Sequence, residues 1–384
     1  MQTSLTLIPT ISIHPGQINL YNEVHWHPHK PHRERTNQRN EIVTHGAEHL
    51  INSKRSAQGN VSSIAKRKMT KAVNYMLFVT NDKTVTNQYT GKNFKFKIAF
   101  ATLTLPSKQI HSDNEIKAKC LNQILIELKK YHHVKNYIWR AEKQRNGNIH
   151  FHILVDKFIP HQELRDRWNR IVNKLGYVDT YRNEMQSWHR DGFRVRKNLL
   201  RTWPLRKQKS AYERGARTHW NSPNSTDIHS VHKIRDLKSY ITKYVTKNEI
   251  KEFALRIEKL KELRKNNSGV QNKVPGAKRK ELIQKKRNRQ LAAKKMKQSG
   301  RIWGCNVELS NLKGAQANID WQINDELEEL AANENIKVLE DKYFTIIFFD
   351  SSILMKRPES QLFKLFSQFL FDKFGYSIQT EIAA

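Results

Sequence analysis

The chain has 384 residues, enough for one large core or for two domains. Its 69 Lys and Arg against 36 Asp and Glu leave a formal net charge of +33, for which a nucleic acid is the natural counter-charge. Composition argues against membrane insertion and against a disulfide framework, because there is no apolar run of about 18 residues, no leader-like opening and only two cysteines. We expect a protein of a reducing cytoplasm.

The N-terminal part divides into two predicted regions. Residues 1–65 are expected to form an irregular arm rich in histidine, because three prolines interrupt regular elements. Residues 66–250 have the pattern of an α+β domain, in which β-rich runs alternate with amphipathic helices. The first strand is predicted at Phe94 to Leu105, and the first helix from about Asn114 to Tyr131.

A hairpin and a second helix follow. The strands Asn136 to Gln144 and Asn148 to Val155 flank Arg145-Asn146-Gly147, and Asn-Gly between β-rich runs favours a tight turn. Pro160 to Leu175 has one apolar stripe at helical spacing and is predicted to be a helix.

The rest of the chain alternates in charge. Residues 180–226 are predicted to form a long basic surface excursion, followed by a strand at 227–234 and a helix at 237–247. Residues 251–300 contain 17 Lys and Arg against four Asp and Glu, which indicates a basic, partly helical connector. Residues 301–384 are acidic and are predicted to form a small α/β module with a buried strand at Tyr343 to Phe349 and a helix at Glu359 to Phe374.

Two histidines mark the first candidate site. His150 and His152 are two residues apart on a predicted strand, so both imidazoles project from one face and can share a cation. If the hairpin loop has three residues, we expect Glu142 to lie across from His152 and Gln144 from His150. Glu142 is then the third ligand, with Gln144 in reserve, whereas a two-residue loop turns both away.

An isolated His-x-His pair is more often the wet face of a hairpin than a metal site. The chain holds its own comparison, because His25-Trp26-His27 has the same spacing among prolines, with no predicted strand around it. Only the pair at 150 and 152 has a carboxylate on a predicted neighbouring strand.

Two tyrosines mark the second candidate site. Tyr240 and Tyr244 are four residues apart and share one helix face, with Lys243 on an adjacent face. A neutral phenol is a poor nucleophile, but a nearby cation can activate the phosphate that it attacks, and Lys243 could lower a tyrosine pKa or pair with a phosphate oxygen. Tyrosines at this spacing are usually packing residues, so the argument depends on their occurrence together with the histidine pair.

Three segments, Phe100 to Leu105, Asn148 to His152 and Tyr240 to Tyr244, resemble in this order the motifs of the HUH endonucleases that initiate rolling-circle replication. The two-tyrosine form resembles the initiators of microviruses and related single-stranded DNA bacteriophages. The resemblance implies a central antiparallel sheet flanked by helices, a 5′-phosphotyrosine intermediate and a free 3′-hydroxyl. It also implies Mg²⁺ or Mn²⁺ as the divalent metal, although two histidines and a carboxylate suit zinc as well.

The resemblance implies single-stranded DNA at a replication origin as the substrate, with host DNA polymerase extending the new end in the cytoplasm of a bacterial host. No phosphate loop of the form GxxxxGK[ST] is present, so a host helicase is expected to separate the strands. The first motif strand makes Thr102 and Thr104 candidate DNA contacts, and Arg194 and Arg196 lie among aromatic residues as in single-strand binders. A relaxase or transposase of the same chemistry, and a non-catalytic nucleic-acid-binding protein, remain alternatives.

Overall fold

The computed structural model describes residues 5–26, 61–86, 91–144, 146–231, 298–332 and 336–378. Its elements are numbered in chain order. The strands are β1 Leu5–His14, β2 Gln17–Trp26, β3 Lys83–Thr86, β4 Asn93–Phe96, β5 Ile98–Leu103, β6 Tyr137–Lys143, β7 Ile149–Val155, β8 Thr226–Val231, β9 Trp303–Cys305, β10 Ala315–Asn318, β11 Lys337–Asp341 and β12 Phe344–Phe348. The helices are α1 Ser63–Val79, α2 Asp113–Ile116 continued by a π-helical turn Lys117–Leu121 and by Asn122–His132, α3 His161–Asn173, α4 Tyr177–Trp188, α5 Leu205–Arg217, α6 Trp321–Ala331, α7 Ser351–Met355 and α8 Gln361–Phe374.

The chain forms two compact units. The terminal unit combines Met1–Asn40, Thr70–Asn81 and Val307–Ala384, and the central unit combines Glu41–Met69 and Asp82–Asn306. The predicted connector at 251–300 and the predicted helix at 237–247 lie outside the described residues, except for 298–300. No helix in the described part of the chain is both long and apolar enough to cross a bilayer.

The central unit is built on a five-stranded antiparallel sheet in the order β8-β5-β7-β6-β9. Side chains at every second position face α2 and α3 and form the core, as period-two alternation dictates. Ala101, Phe151 and Ile153 are buried on this face together with Trp168 of α3. The predicted α+β class, with an antiparallel sheet and flanking helices, is confirmed.

Two local predictions in the central unit need correction. The strand predicted at Phe94 to Leu105 is two strands, β4 and β5, separated at Lys97. The basic excursion predicted at 180–226 contains α4 and α5. These helices were missed because their inner faces consist of aromatic rings and arginine stems, which do not register as an apolar stripe.

The fifth strand comes from far along the chain. Trp303–Cys305 pairs with β6, so the central unit extends beyond residue 300, where the acidic module was predicted to begin. Gly304 allows this approach, because a Cβ there would lie 2.7 Å from the indole Nε1 of Trp139.

The terminal unit contains a second antiparallel sheet in the order β10-β1-β2-β12-β11. Within residues 5–26 the prediction of an irregular arm is wrong, because β1 and β2 form a hairpin that includes His25 and Trp26. Pro15 and Gly16 make its turn: proline supplies the first central φ, and Gly16 has the positive φ of +73° that the second requires. Strand β12 and helix α8 match the two elements predicted in the acidic module, but the ends of β12 are exposed.

A buried polar cluster joins β1 to α1 in the terminal unit. His14 Nδ1 lies 2.9 Å from the Tyr75 hydroxyl, and Lys71 Nζ lies 3.2 Å from His14 Nε2. Lys71 donates to the Leu312 carbonyl as well. Burial, reinforced by the charge of Lys71, lowers the pKa of His14 from 6.5 to about 3. The folded protein therefore holds a neutral His14 at neutral pH.

This cluster predicts acid sensitivity. Between pH 6.5 and about 3 the unfolded chain binds a proton that folded His14 does not bind, so stability falls as pH falls through this window. We expect His14 to cost about 2 kcal/mol of unfolding free energy at pH 5 relative to pH 8. Chemical denaturation at both pH values measures it, with His14→Gln as the comparison. An equal loss in wild type and variant would assign the acid sensitivity to other groups.

Candidate metal centre

The hairpin of β6 and β7 brings one carboxylate and two imidazoles together on the sheet face opposite the core. Glu142 pairs directly with His150, and Arg140 pairs with His152. The predicted register is therefore wrong by two residues, and Gln144 lies opposite Asn148, to whose carbonyl it donates. A shift of two residues preserves the face of every side chain, so Glu142 still points to the histidines.

The three side chains form a compact group of ligand atoms. The Nε2 atoms of His150 and His152 each lie 3.5 Å from Glu142 Oε2, and the imidazole centroids are 4.6 Å apart. One ligand atom from each residue lies within 4.8 Å of the others. Ligands about 2.0–2.2 Å from one ion can be at most about 4.4 Å apart, so small side-chain rotations suffice to close the set on an ion.

The protonation and bonding state of the group also fits a cation. Both ring nitrogens of His150 are buried and make no hydrogen bond to another described residue. Burial lowers the pKa of His152, an effect that outweighs the hydrogen bond with Glu142, so this imidazole is neutral near pH 7. Neutral imidazole nitrogens beside a carboxylate are the donors that a divalent transition metal binds.

Neighbouring residues hold the ligands in place. Thr102 Oγ1 on β5 lies 3.1 Å from His152 Nδ1, which leaves Nε2 directed to Glu142. The Phe100 ring stacks on His152 with centroids 5.2 Å apart. Arg140 Nε lies 3.2 Å from Glu142 Oε1, with both side chains buried. Second contacts of this kind fix the tautomer of a ligand histidine and the orientation of a ligand carboxylate.

The remaining predicted DNA contacts are in different surroundings. The Thr104 hydroxyl donates to the Ser225 carbonyl at 2.8 Å, so it is engaged within the fold. Arg194 and Arg196 lie over the Trp188 ring, with guanidinium carbons 4.4 and 5.6 Å from its centroid.

The predicted nucleophile helix lies outside the described residues. Tyr240, Lys243 and Tyr244 all fall in the undescribed segment 232–297. Their roles therefore stay predictions from the sequence.

A buried network at the base of the hairpin was not anticipated. Asp113 accepts from Lys143 Nζ at 2.5 Å and from Gln109 Nε2 at 2.8 Å. Gln109 in turn accepts from the Ile149 backbone N–H at 2.6 Å and donates its own backbone N–H to Asn148. Lys143 and Ile149 flank Glu142 and His150, so the network fixes the strands that carry the ligands. The sequence signal was a lysine next to the ligand carboxylate in an otherwise apolar strand.

Comparison with known proteins gave one result. A family model described as a replication-associated protein of the ORF2 type matches residues 98–249, about two fifths of the chain. No curated protein and no solved structure matches at a significant level. The matched segment starts with β5, contains the metal group and ends after Tyr244, and it nearly coincides with the segment that carries the three motifs. The match supports a replication-associated function and a rolling-circle replication initiator.

Proposed function

We propose that this protein is a metal-dependent endonuclease and strand transferase that nicks single-stranded DNA at a replication origin and starts rolling-circle replication. The observation that carries the proposal is the Glu142, His150 and His152 group, which lies on the open sheet face inside the segment that matches the replication family. Mg²⁺ or Mn²⁺ is the proposed ion, with Mn²⁺ the better match to mixed nitrogen and oxygen ligands.

The residues of the sheet have distinct proposed tasks. His150, His152 and Glu142 hold the ion, which when bound polarises and orients the scissile phosphate. Thr102 directs Nε2 of His152 toward the group through its contact with Nδ1, and Arg140 holds one carboxylate oxygen of Glu142 so that the other faces the imidazoles. We assign Thr102 a positioning role in addition to any contact with DNA.

The nucleophile is proposed to be Tyr240 or Tyr244. The phenol oxygen forms a bond to phosphorus as it loses its proton, the bond from phosphorus to the 3′-oxygen breaks, and that oxygen leaves as a free 3′-hydroxyl. Lys243 is proposed to pair with a phosphate oxygen or to lower the tyrosine pKa. Two tyrosines on one helix face allow one to hold the first 5′ end while the other cuts again. Host polymerase and helicase are the expected partners in a bacterial cell.

The test is covalent capture. We expect the protein, incubated with labelled single-stranded oligonucleotides that tile its own replicon, to form an adduct stable on a denaturing gel in Mn²⁺ or Mg²⁺. The adduct should disappear in EDTA, in the Tyr240→Phe/Tyr244→Phe double variant and in His150→Ala.

His229→Ala is the matched control. His229 lies on the same sheet face two strands from β7, its side chain is 43% exposed, and it is not part of the metal group. This variant should form the adduct as the wild type does. An adduct that persists in the double tyrosine variant would overturn the nucleophile, and no adduct in any metal would leave a non-catalytic nucleic-acid-binding protein.

A further inference from the structure

Helices α4 and α5 and the loops around them form a cluster of aromatic rings, separate from the metal group. His189 stacks on Trp220 with centroids 5.9 Å apart and planes inclined by 4°, and on Phe193 at 6.2 Å and 13°. Tyr212 of α5 lies 4.8 Å from His189. All four rings are only partly buried. They are therefore arranged like core residues but remain accessible.

These rings line a cavity of about 290 Å³ together with Trp203, Arg194 and Arg196. This is close to the lower limit of small-molecule sites, roughly 300 Å³. Gln208, 3% exposed, fixes one wall because it accepts from the Arg196 backbone N–H and donates to the Trp203 carbonyl. The cavity therefore has a defined shape suited to one planar ring system.

The backbone is strained where it places Trp220. His219 and Trp220 both have positive φ, +48° and +56°, a conformation that bulky residues rarely adopt. Gly215 makes room for the indole, since a Cβ there would lie 2.4 Å from Trp220 Nε1. Backbone strain of this kind is concentrated at functional sites.

The surroundings of the cavity are strongly cationic. Residues 177–220 contain eleven Lys and Arg against four Asp and Glu, a net charge of +7. Pro106 lines the cavity only four residues after Thr102, which contacts His152, so the two Cα atoms are at most about 14 Å apart. Phosphates lie about 3.4 Å apart along a stacked strand, so a strand bound at the metal group can reach the cavity within a few nucleotides.

We propose that this cavity is a subsite that holds one unstacked base of single-stranded DNA between the aromatic rings, with Arg194 and Arg196 on the flanking phosphates. For its substrate class the inference rests on the proposed function. Ring stacking with adjacent cations is the mode by which proteins hold single strands, and it excludes a duplex because paired bases do not present their faces.

Binding is measured in EDTA, where no nicking occurs, on the full chain with Tyr240→Phe/Tyr244→Phe. Fluorescence anisotropy with labelled oligothymidylate should give an affinity loss of about tenfold for Tyr212→Leu and for Trp220→Leu, and none for Tyr212→Phe. The slope of log affinity against log salt should stay unchanged in the ring variants but fall by about one in Arg194→Gln. An oligonucleotide with one 5-iodouracil should photocrosslink to a ring of the cavity.

Tyr131 is the matched control, because this tyrosine is 51% exposed and carries Arg167 4.5 Å over its ring, yet does not line the cavity. Tyr131→Leu should bind as the parent does. Equal losses of the ring variants on duplex DNA, tighter binding of oligouridylate, or crosslinks only outside the cavity would each overturn the proposal. If the leucine variants fail to fold, the salt slope of Arg194→Gln and the crosslink on the parent decide. A crosslink in the cavity without any adduct on the tiled oligonucleotides would refute nicking and retain the subsite.

Discussion

We expect the Glu142→Gln variant to bind Mn²⁺ at least about 100-fold more weakly than the wild type, since it replaces the single carboxylate of the metal group with a neutral amide. Glutamine keeps the volume and an acceptor for Arg140, so the fold should survive. Isothermal titration with Mn²⁺ measures the affinity. In addition, Mn²⁺ should raise the melting temperature of the wild type but not of the variant, because an ion that binds the folded state stabilises it.

Asp227→Asn provides the control for this measurement. Asp227 lies on β8 opposite Thr102, on the same sheet as the metal group, and its side chain is 75% exposed. Its loss should leave Mn²⁺ affinity unchanged. Wild-type affinity in Glu142→Gln would show that the carboxylate is not a ligand.

The grouping of these ligands was predictable because it depends only on parity. Alternation along β7 separates His150 and His152 from the core residues, and any even register error leaves Glu142 on their side. The precise pairing was not predictable from the loop sequence alone. The distance between Glu142 and each imidazole follows from cross-strand geometry, which the sequence specifies only through the register.

Contacts between distant segments were harder to predict. Strand β9 has three residues, too few for any periodicity, and it joins β6 across more than 150 residues of chain. The β1–β2 hairpin was missed because Pro15 was interpreted as a break, whereas proline followed by glycine also suits the centre of a turn. A local signal with two structural meanings is resolved only by the partner strands, here β10 and β12.

The second large effect concerns the buried network beneath the metal hairpin. We expect Asp113→Ala to destabilise the protein by about 3–5 kcal/mol, because it leaves Lys143, bonded to Asp113 at 2.5 Å, as an uncompensated buried charge. Lys117, 1% exposed, is affected as well: burial lowers its pKa to about 8, and the charge of Asp113 opposes this shift. Denaturant unfolding at pH 7 measures the loss.

Glu115→Ala tests whether burial is the cause. Glu115 is on the same helix, α2, but pairs with Lys119 at 2.9 Å on the surface, and such pairs contribute only about 0.3–0.5 kcal/mol. A small effect for Glu115 and a large one for Asp113 would separate the buried network from general helix charge. Lys143→Met should recover part of the loss in Asp113→Ala, since it removes one of the two stranded cations. A double variant as unstable as Asp113→Ala would show that Lys143 is not the group that Asp113 compensates.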